Sequence, residues 1–154
     1  MVRLTTDARL IDWTAAAEVF RLAPLGSREP DKLKRAFERS FAVVFAFDEE
    51  RLIGLARATC DGEYQAAIYD MVVLPDYQGR GVGKMIMDEL LSRLPVKNII
   101  LYAVPGKEGF YRKCGFRTMK TAMARLAPAL ADPQAGYLEV KDPSMRPPTE
   151  NGGK

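Results

Sequence analysis

The chain has 154 residues, of which 47% are hydrophobic and 28% charged, and 23 Lys and Arg against 20 Asp and Glu leave a net charge of +3. These values are typical of one globular domain, and the dispersed basic residues give no reason to expect nucleic acid as a partner. No apolar run approaches the ~20 residues that cross a bilayer and no secretory signal is visible, so we expect no membrane partner and a cytoplasmic location.

The N-terminal part predicts two helices followed by a hairpin. After a short extended start, Asp12 is a suitable N-cap for a helix over 13–22, and Pro30 suits the first turn of a second helix in "REPDKLKRAFERS". The runs "FAVVFAF" (41–47) and "RLIGLARATC" (51–60) are rich in β-branched and aromatic residues. Because a short polar turn separates them, they predict an antiparallel hairpin.

The middle of the chain predicts a βαβ unit. "AAIYDMVVL" (66–74) is nearly continuously apolar, which is typical of a central strand. From Val82 an apolar residue recurs every four positions until Pro95, which predicts a helix, and "NIILYA" (98–103) is the next strand. Two strands joined through such a helix are expected to be parallel.

The C-terminal part is less regular. "GKEGFYRKCGF" (106–116) predicts a short helix closed by Gly115, followed by a strand within "RTMKTAMARL" (117–126) and a weak last strand near "GYLEV" (136–140). We expect a single domain over 1–140 and a disordered tail over 141–154.

The chain contains no histidine. Ser-His-Asp and Cys-His triads and His-ligated metals are therefore excluded, and acid–base chemistry must use Glu, Asp, Tyr, Lys, Cys or water. Cys60 and Cys114 lack metal-ligand spacing and predict buried thiols. We expect no metal.

The stretch "YQGRGVGKM" (77–85) places three glycines at the start of the third predicted helix. A P-loop is excluded because Gln78 stands where its first glycine is needed and Met85 where Ser or Thr is needed; the dinucleotide fingerprint fails from either Gly79 or Gly81. A helix start of this kind attracts an anion such as a pyrophosphate through its N–H groups and dipole. A tight turn without a ligand is the alternative.

Two motifs together resemble the GCN5-related N-acetyltransferase (GNAT) family. Gln78-x-x-Gly81-x-Gly83 is similar to the family's Q/R-x-x-G-x-G/A acetyl-CoA motif, and "FYRKCGF" (110–116) resembles its F-Y-x-x-x-G-F signature. The resemblance covers roughly 41–126. The stretch "LIGLARATCDGEYQAAIYDMVVLPDYQGRGVGK" is particularly similar to the bacterial and plastid branch that includes plant serotonin N-acetyltransferase.

This resemblance implies an α/β fold with a mixed, mostly antiparallel sheet of six to seven strands and about four helices. The sheet would be splayed between the strands near 66–74 and 98–103. The implied activity is acetyl transfer from acetyl-CoA to a primary amine by direct attack in a ternary complex.

The resemblance also implies the site residues. The residues of the glycine turn would wrap the pyrophosphate of acetyl-CoA: Gln78, Gly79, Arg80, Gly81, Val82, Gly83 and Lys84. The backbone of the strand residues Met71, Val72 and Val73 would pair with its pantetheine arm. Tyr111 matches the signature tyrosine that contacts CoA and protonates its departing thiolate.

The group that removes the amine proton is less defined. Asp70 is the first candidate because a carboxylate in so apolar a strand needs a partner or a function, although a structural carboxylate explains it equally well. The further candidates are Glu63, Tyr69 and Tyr102.

Val104 departs from the family pattern, since many relatives carry Asn or Asp there. This departure motivates an alternative function, a non-catalytic acyl-CoA-binding regulatory module. A covalent acyl carrier at Cys114 is disfavoured, because no histidine activates the thiol.

For the acceptor we expect a small amine, such as an arylalkylamine or a polyamine, ahead of a protein or peptide lysine. The resemblance places its pocket near 25–30, 61–65 and 118–123, where Glu29, Asp61 and Glu63 could attract a cationic amine. The resemblance also allows a homodimer.

Overall fold

The computed structural model describes residues 1–139, which form two compact units, one over 1–102 and one that begins at Ala103. The single domain predicted over 1–140 stays a prediction, and the tail predicted to be disordered, 141–154, lies outside the described residues. No helix within 1–139 has the length and apolar character needed to cross a membrane.

The first unit contains a five-stranded mixed sheet, with the strands in chain order: β1 (Val2–Thr5), β2 (Ala42–Asp48), β3 (Arg51–Cys60), β4 (Gln65–Val73) and β5 (Asn98–Ile100). All neighbours are antiparallel except β4 and β5, which are parallel. Its helices are α1 (Trp13–Leu22), α2 (Pro30–Glu38) and α3 (Val82–Ser92). The predicted helices, hairpin and parallel βαβ unit are confirmed.

The starts of α1 and α2 are capped by acidic side chains. Asp12 accepts hydrogen bonds from the N–H groups of Thr14 and Ala15, as its position predicted. Glu29 accepts from the N–H groups of Asp31 and Lys32. Both carboxylates satisfy helix N–H groups that have no partner within the helix.

The helices cover both faces of the sheet. Phe45 of β2 lies 5.5 Å from the Phe37 ring of α2 and 6.0 Å from the Trp13 ring of α1, so these helices pack on one face. The opposite face meets α3 at Gly54 of β3, where an added Cβ would lie 2.8 Å from Ile86 Cδ1. A side chain at Gly54 would therefore require the Ile86 side chain to move.

β4 pairs with β5 only over the first three residues of β4. The pairs are Gln65 with Asn98, Ala66 with Ile99 and Ala67 with Ile100. Within the described part of the chain, 68–73 has no partner on its β5 side. We call this opening the fork. The predicted splay is thus observed, while β5 ends at Ile100 rather than at 103.

The second unit contains two short helices, α4 (Glu108–Lys113) and α5 (Pro128–Ala131). Gly115 has a φ of +90°, which closes α4 as predicted, and the Phe116 N–H donates to the Tyr111 carbonyl.

The two C-terminal strands were predicted wrongly as far as the structure describes them. Residues 117–126 contain no strand, and neither do 136–139, while Val140 lies outside the described residues. The sheet therefore has five described strands instead of six to seven. Two apolar side chains of 117–126, Met119 and Met123, are 55% and 96% exposed, so their burial does not stabilise a strand there.

Candidate active site

The glycine turn leaves the start of α3 open. Gly79 and Gly81 have φ values of +72° and +85°, a conformation that strains residues with a side chain. The first helical hydrogen bond runs from the Met85 N–H to the Gly81 carbonyl, and no described side chain caps the N–H groups before it. These N–H groups and the helix dipole form a site that favours an anion.

Two contacts brace the turn against the rest of the first unit. The Gln78 side-chain amide donates to the Val73 carbonyl at the end of β4, at 2.9 Å. Tyr77 donates its hydroxyl to Asp48 at 3.0 Å, and the guanidinium groups of Arg51 and Arg80 lie 5.8 Å and 5.0 Å from the centre of its ring. Gln78 thus holds the turn through its side chain, and Arg51 and Tyr77 are supporting residues that the sequence did not reveal.

The two basic side chains of the turn are placed differently. Arg80 lies 5.0 Å from the centre of the Tyr77 ring and donates to the Asp76 carbonyl. Lys84 forms an ion pair with Asp88 one helical turn further on. Arg80 is therefore the better candidate for direct contact with an anion, and Lys84 contributes charge at the rim.

β4 enters the turn through a bulge. Asp70 has a φ of +53°, unusual for any residue other than glycine, and the pairing with β3 shifts there, because Tyr69 pairs with Arg57 but Val72 with Leu55. Beyond the bulge Met71 is half-buried and Val72 and Val73 are buried. Their side chains pack in the first unit, while the peptide edge of β4 faces the fork.

Two guanidinium groups converge on Asp70. Arg57 Nε donates to Oδ2 at 2.6 Å, and Arg28 Nη2 donates to Oδ1 at 3.4 Å. The Asp70 side chain is 14% exposed. Both ion pairs offset the desolvation of a carboxylate in the middle of a sheet.

Arg28 and Arg57 were missed in the sequence, although a signal was present. A carboxylate within an apolar strand requires a basic partner, and Arg57 is the only basic residue in the interior of β3, which pairs with β4 through a hairpin. Arg28 lies in the connection between α1 and α2, so only the folded chain brings it to Asp70.

The remaining candidate bases are two tyrosines near Asp70 and Arg57, and Glu63 in the β3–β4 turn. Tyr69 stacks under the Arg57 guanidinium, 5.1 Å from its carbon, and lies edge-to-face with Tyr102 at 6.4 Å. Tyr102 is 56% exposed. Glu63 is exposed in the β3–β4 turn, and its N–H donates to Asp61.

The acidic residues expected to attract an amine have local partners. Glu29 caps α2, as described above. Asp61 accepts from three backbone N–H groups of its own turn, and these hydrogen bonds lower the pKa of its carboxyl group. Both carboxylates therefore act first as structural acceptors.

Tyr111 lies in α4 of the second unit. Its ring packs against Phe110 and Phe116, with centroid distances of 5.1 Å and 6.3 Å. Burial, and to a lesser extent the nearby Cys114, raises the pKa of the phenol above its ordinary value of 10.0. Tyr111 therefore stays protonated throughout the neutral range, as a proton donor must.

Val104 and its neighbours form a turn in the second unit. The Lys107 N–H donates to the Val104 carbonyl at 2.9 Å, and Gly106 between them has a φ of +87°. Across the described residues no three side chains of Cys, Asp or Glu are grouped as a metal-ligand set.

Comparisons with known proteins agree with this architecture. A family model described as an acetyltransferase (GNAT) domain matches residues 39–118. Serotonin N-acetyltransferase 2, chloroplastic, from Oryza sativa subsp. japonica is 38% identical over 125 residues, which cover 76% of this chain and 62% of that protein. The chain spans 52% to 62% of the length of the first curated relatives it matches.

Two solved structures share the fold. A GNAT family acetyltransferase from Streptococcus pneumoniae superimposes with a TM-score of 0.71 at 24% identity, over 83% of this chain and 99% of that one. PaiA N-acetyltransferase from Thermoplasma acidophilum, in complex with coenzyme A, gives 0.66 at 17% identity, over 79% and 93%.

A forked mixed sheet that leads through a bulged strand into an open helix start defines an acetyltransferase fold. The chain belongs to the GNAT family of acetyltransferases.

Proposed function

We propose that this chain is an acetyl-CoA-dependent N-acetyltransferase that moves an acetyl group to a primary amine by direct attack in a ternary complex. One observation carries the proposal. The edge of β4 at 68–73, which has no β5 partner among the described residues, leads through the glycine turn to the start of α3 at Val82, which has no side-chain cap. A strand-like groove and an anion site thus follow each other along one short stretch of chain.

Coenzyme A fits these two features. Its pyrophosphate matches the N–H groups at the start of α3, with Arg80 and Lys84 adding positive charge. Its pantetheine arm contains amide groups that can pair with the peptide edge of Met71, Val72 and Val73, as an added strand would. The PaiA relative was solved with coenzyme A, which supports this assignment.

The proposed reaction needs one proton donor and one proton acceptor. The amine nitrogen forms a bond to the thioester carbonyl carbon, the carbon–sulfur bond breaks, and the thiolate leaves with the electron pair. Tyr111 is our proposed donor to that thiolate, because the raised pKa of its phenol keeps the proton available. A β4 N–H aimed at the carbonyl oxygen would stabilise its developing charge by ~3 kcal/mol.

Asp70 remains our proposed acceptor of the amine proton, because it is the carboxylate at the fork. Each of its oxygens already accepts a hydrogen bond from a guanidinium group. The competing role is structural: Asp70 would only hold Arg28 and Arg57 in place. Glu63, Tyr69, Tyr102 and water are the further acceptors to test.

The acceptor is a small amine, such as an arylalkylamine or a polyamine, or a protein lysine. The name of the rice relative, a serotonin N-acetyltransferase, supports the arylalkylamine. That relative is also named chloroplastic, so our proposal of a cytoplasmic location has to be tested directly by microscopy of the tagged protein in its own cell.

The deciding experiment is an acceptor screen in which released CoA thiol is measured with acetyl-CoA and a panel of amines. Saturable thiol release that requires both substrates supports the proposal. Calorimetry with acetyl-CoA separates two failures: absence of binding rejects the CoA site, whereas binding without transfer to any small amine, peptide or protein indicates a non-catalytic binding module.

A further inference from the structure

Five residues form a polar and aromatic cluster on the α1 face of the sheet, at the fork. We call it the fork cluster: Arg28, Arg57, Tyr69, Asp70 and Tyr102. Tyr69 and Tyr102 each lie two residues beyond the last β4–β5 pair, Ala67 with Ile100, so their ring contact spans the point where the two strands separate.

The fork cluster carries excess positive charge. Two guanidinium groups share the single carboxylate of Asp70. Among the described residues, the nearest acidic residues in sequence form no ion pair with Arg28 or Arg57. Glu29 caps α2 instead, and Asp61 accepts three backbone hydrogen bonds.

Arg57 has hydrogen-bond donors without an acceptor among the described residues. Its side chain is only 19% exposed, and its one hydrogen bond within the described residues is that from Nε to Asp70. The Tyr69 ring fixes the guanidinium from one side. The two Nη groups have no acceptor among the described residues. No buried side-chain nitrogen there lacks a partner, so these donors are open to solvent, where an acceptor on a ligand can replace water.

We propose that Arg57 determines acceptor specificity by binding a carboxylate on the acceptor, so that among primary amines those that also carry a carboxylate group are preferred over the simple arylalkylamines and polyamines considered above. This inference rests on the proposed acetyltransferase function. The planar guanidinium matches a carboxylate through two parallel hydrogen bonds, and Asp70 and Tyr69 orient it for that contact. Arg28 adds a second positive charge.

The same charges act against polyamines. A polyamine brings additional ammonium groups into a cluster that already has more guanidinium than carboxylate groups, and like charges repel. An amine with a carboxylate neutralises the excess instead.

The test uses pairs of acceptors that differ by one carboxylate: tryptophan with tryptamine, and ornithine with putrescine. The measured quantity is the ratio of kcat/KM for the carboxylated amine to that for its partner, in the wild type and in Arg57→Gln. We expect the wild type to prefer the carboxylated member of at least one pair, and Arg57→Gln to lower that ratio by roughly 10- to 100-fold. Because intrinsic amine reactivity is the same for both proteins, it cancels in the comparison.

Two further variants guard against a folding effect. Arg57→Lys keeps the charge beside Asp70 but loses the planar guanidinium, so the ratio should fall less than in Arg57→Gln. Arg9→Gln removes an exposed guanidinium paired with Asp7 beyond β1, at the far edge of the sheet, and should leave the ratio unchanged.

A ratio that is equal in the wild type and Arg57→Gln, or a wild-type preference for both uncarboxylated amines, would overturn the inference. Calorimetry of tryptophan and tryptamine with the CoA-saturated protein gives the same comparison without turnover. If acetyl-CoA does not bind, the proposed function itself fails; if it binds and the carboxylate makes no difference, only this inference fails.

Discussion

Arg57 Nε and Asp70 Oδ2 lie 2.6 Å apart, and Asp70 holds a left-handed backbone conformation in the middle of a β-sheet. A non-glycine residue in this conformation costs roughly 1–2 kcal/mol, and the ion pair helps to offset that cost. The pair therefore links the shape of β4 at its bulge to the charge of the fork cluster. Strand geometry and site electrostatics depend here on the same two side chains.

Replacement of Tyr111 by Phe tests the proton donor. We expect kcat to fall by about 10² to 10⁴, because the thiolate would leave without a positioned acid. The dissociation constant of acetyl-CoA should change little, since the ring and its contacts with Phe110 and Phe116 are kept. Stopped-flow turnover together with calorimetry measures both quantities, and an undiminished kcat would reject the role of Tyr111.

The pH dependence of kcat provides a second test of Tyr111. Burial raises the pKa of the phenol, so the protonated form persists to higher pH than the ordinary value of 10.0. Loss of the donor therefore begins only near or above pH 10, and kcat should show no alkaline decrease due to Tyr111 between pH 7 and 9.5. A decrease within that range that disappears in Tyr111→Phe would contradict this expectation.

Replacement of Asp70 by Asn distinguishes its two proposed roles. As the proton acceptor, Asp70 supports turnover, and the variant should lose about 10² to 10⁴ in kcat at neutral pH with acetyl-CoA still bound. The loss should become smaller as pH rises toward the pKa of the free amine, because more of the acceptor is then already neutral. If melting temperature falls but kcat stays within threefold of the wild type, Asp70 has only the structural role.

Replacement of Gly81 by Ala tests the anion site. The φ of +85° makes alanine at this position unfavourable by roughly 1–2 kcal/mol, so the turn should shift and acetyl-CoA binding should weaken by about tenfold. Gly62→Ala is the matched control, since Gly62 has a φ of +82° in the β3–β4 turn. Calorimetry should show weaker binding only for Gly81→Ala; equal effects would indicate a general loss of folding.

Gly54 provides a test of the packing that supports the site. An added Cβ would lie 2.8 Å from Ile86 Cδ1 and 3.0 Å from the Val72 carbonyl oxygen, so Gly54→Ala should destabilise the protein by about 1–3 kcal/mol. Gly109→Ala is the control, because its Cβ would meet no atom within 4 Å in α4 and alanine favours a helix. Thermal unfolding that ranks the two variants in the opposite order would contradict the packing described here.

The sequence predicted the parts of the fold that depend on local patterns. Asp12 marks the start of α1 by capping it. The apolar run of β4 indicates a strand buried on both faces, and the glycines after it indicate a turn that needs backbone freedom. The C-terminal strands were predicted within 117–126 and near 136–140, but Met119 and Met123 are exposed. A strand requires a partner edge as well as a pattern, and only the folded chain supplies that edge.

As with the fold, the sequence predicted those parts of the candidate site that lie in short local motifs. The glycine turn and Tyr111 follow from motifs, whereas the fork cluster depends on contacts between distant segments. Arg28 and Asp70 are 42 positions apart and meet only because α1 packs on the sheet face that carries Arg57. The motif that contains Gln78 also did not predict that its side chain would hold the turn by donating to the Val73 carbonyl.

The edge of β4 at 68–73, which has no β5 partner among the described residues, also bears on how the protein behaves without the acetyl-CoA proposed above. Exposed strand edges are the surfaces through which separate molecules join into larger sheets, and proteins usually blunt them with charge, proline or a covering segment. Ile68–Val73 contains one charged residue, Asp70, and no proline. An extended molecule bound along this edge would therefore protect the protein from aggregation. If acetyl-CoA binds there as proposed, the solubility of the protein would rise with the supply of acetyl-CoA.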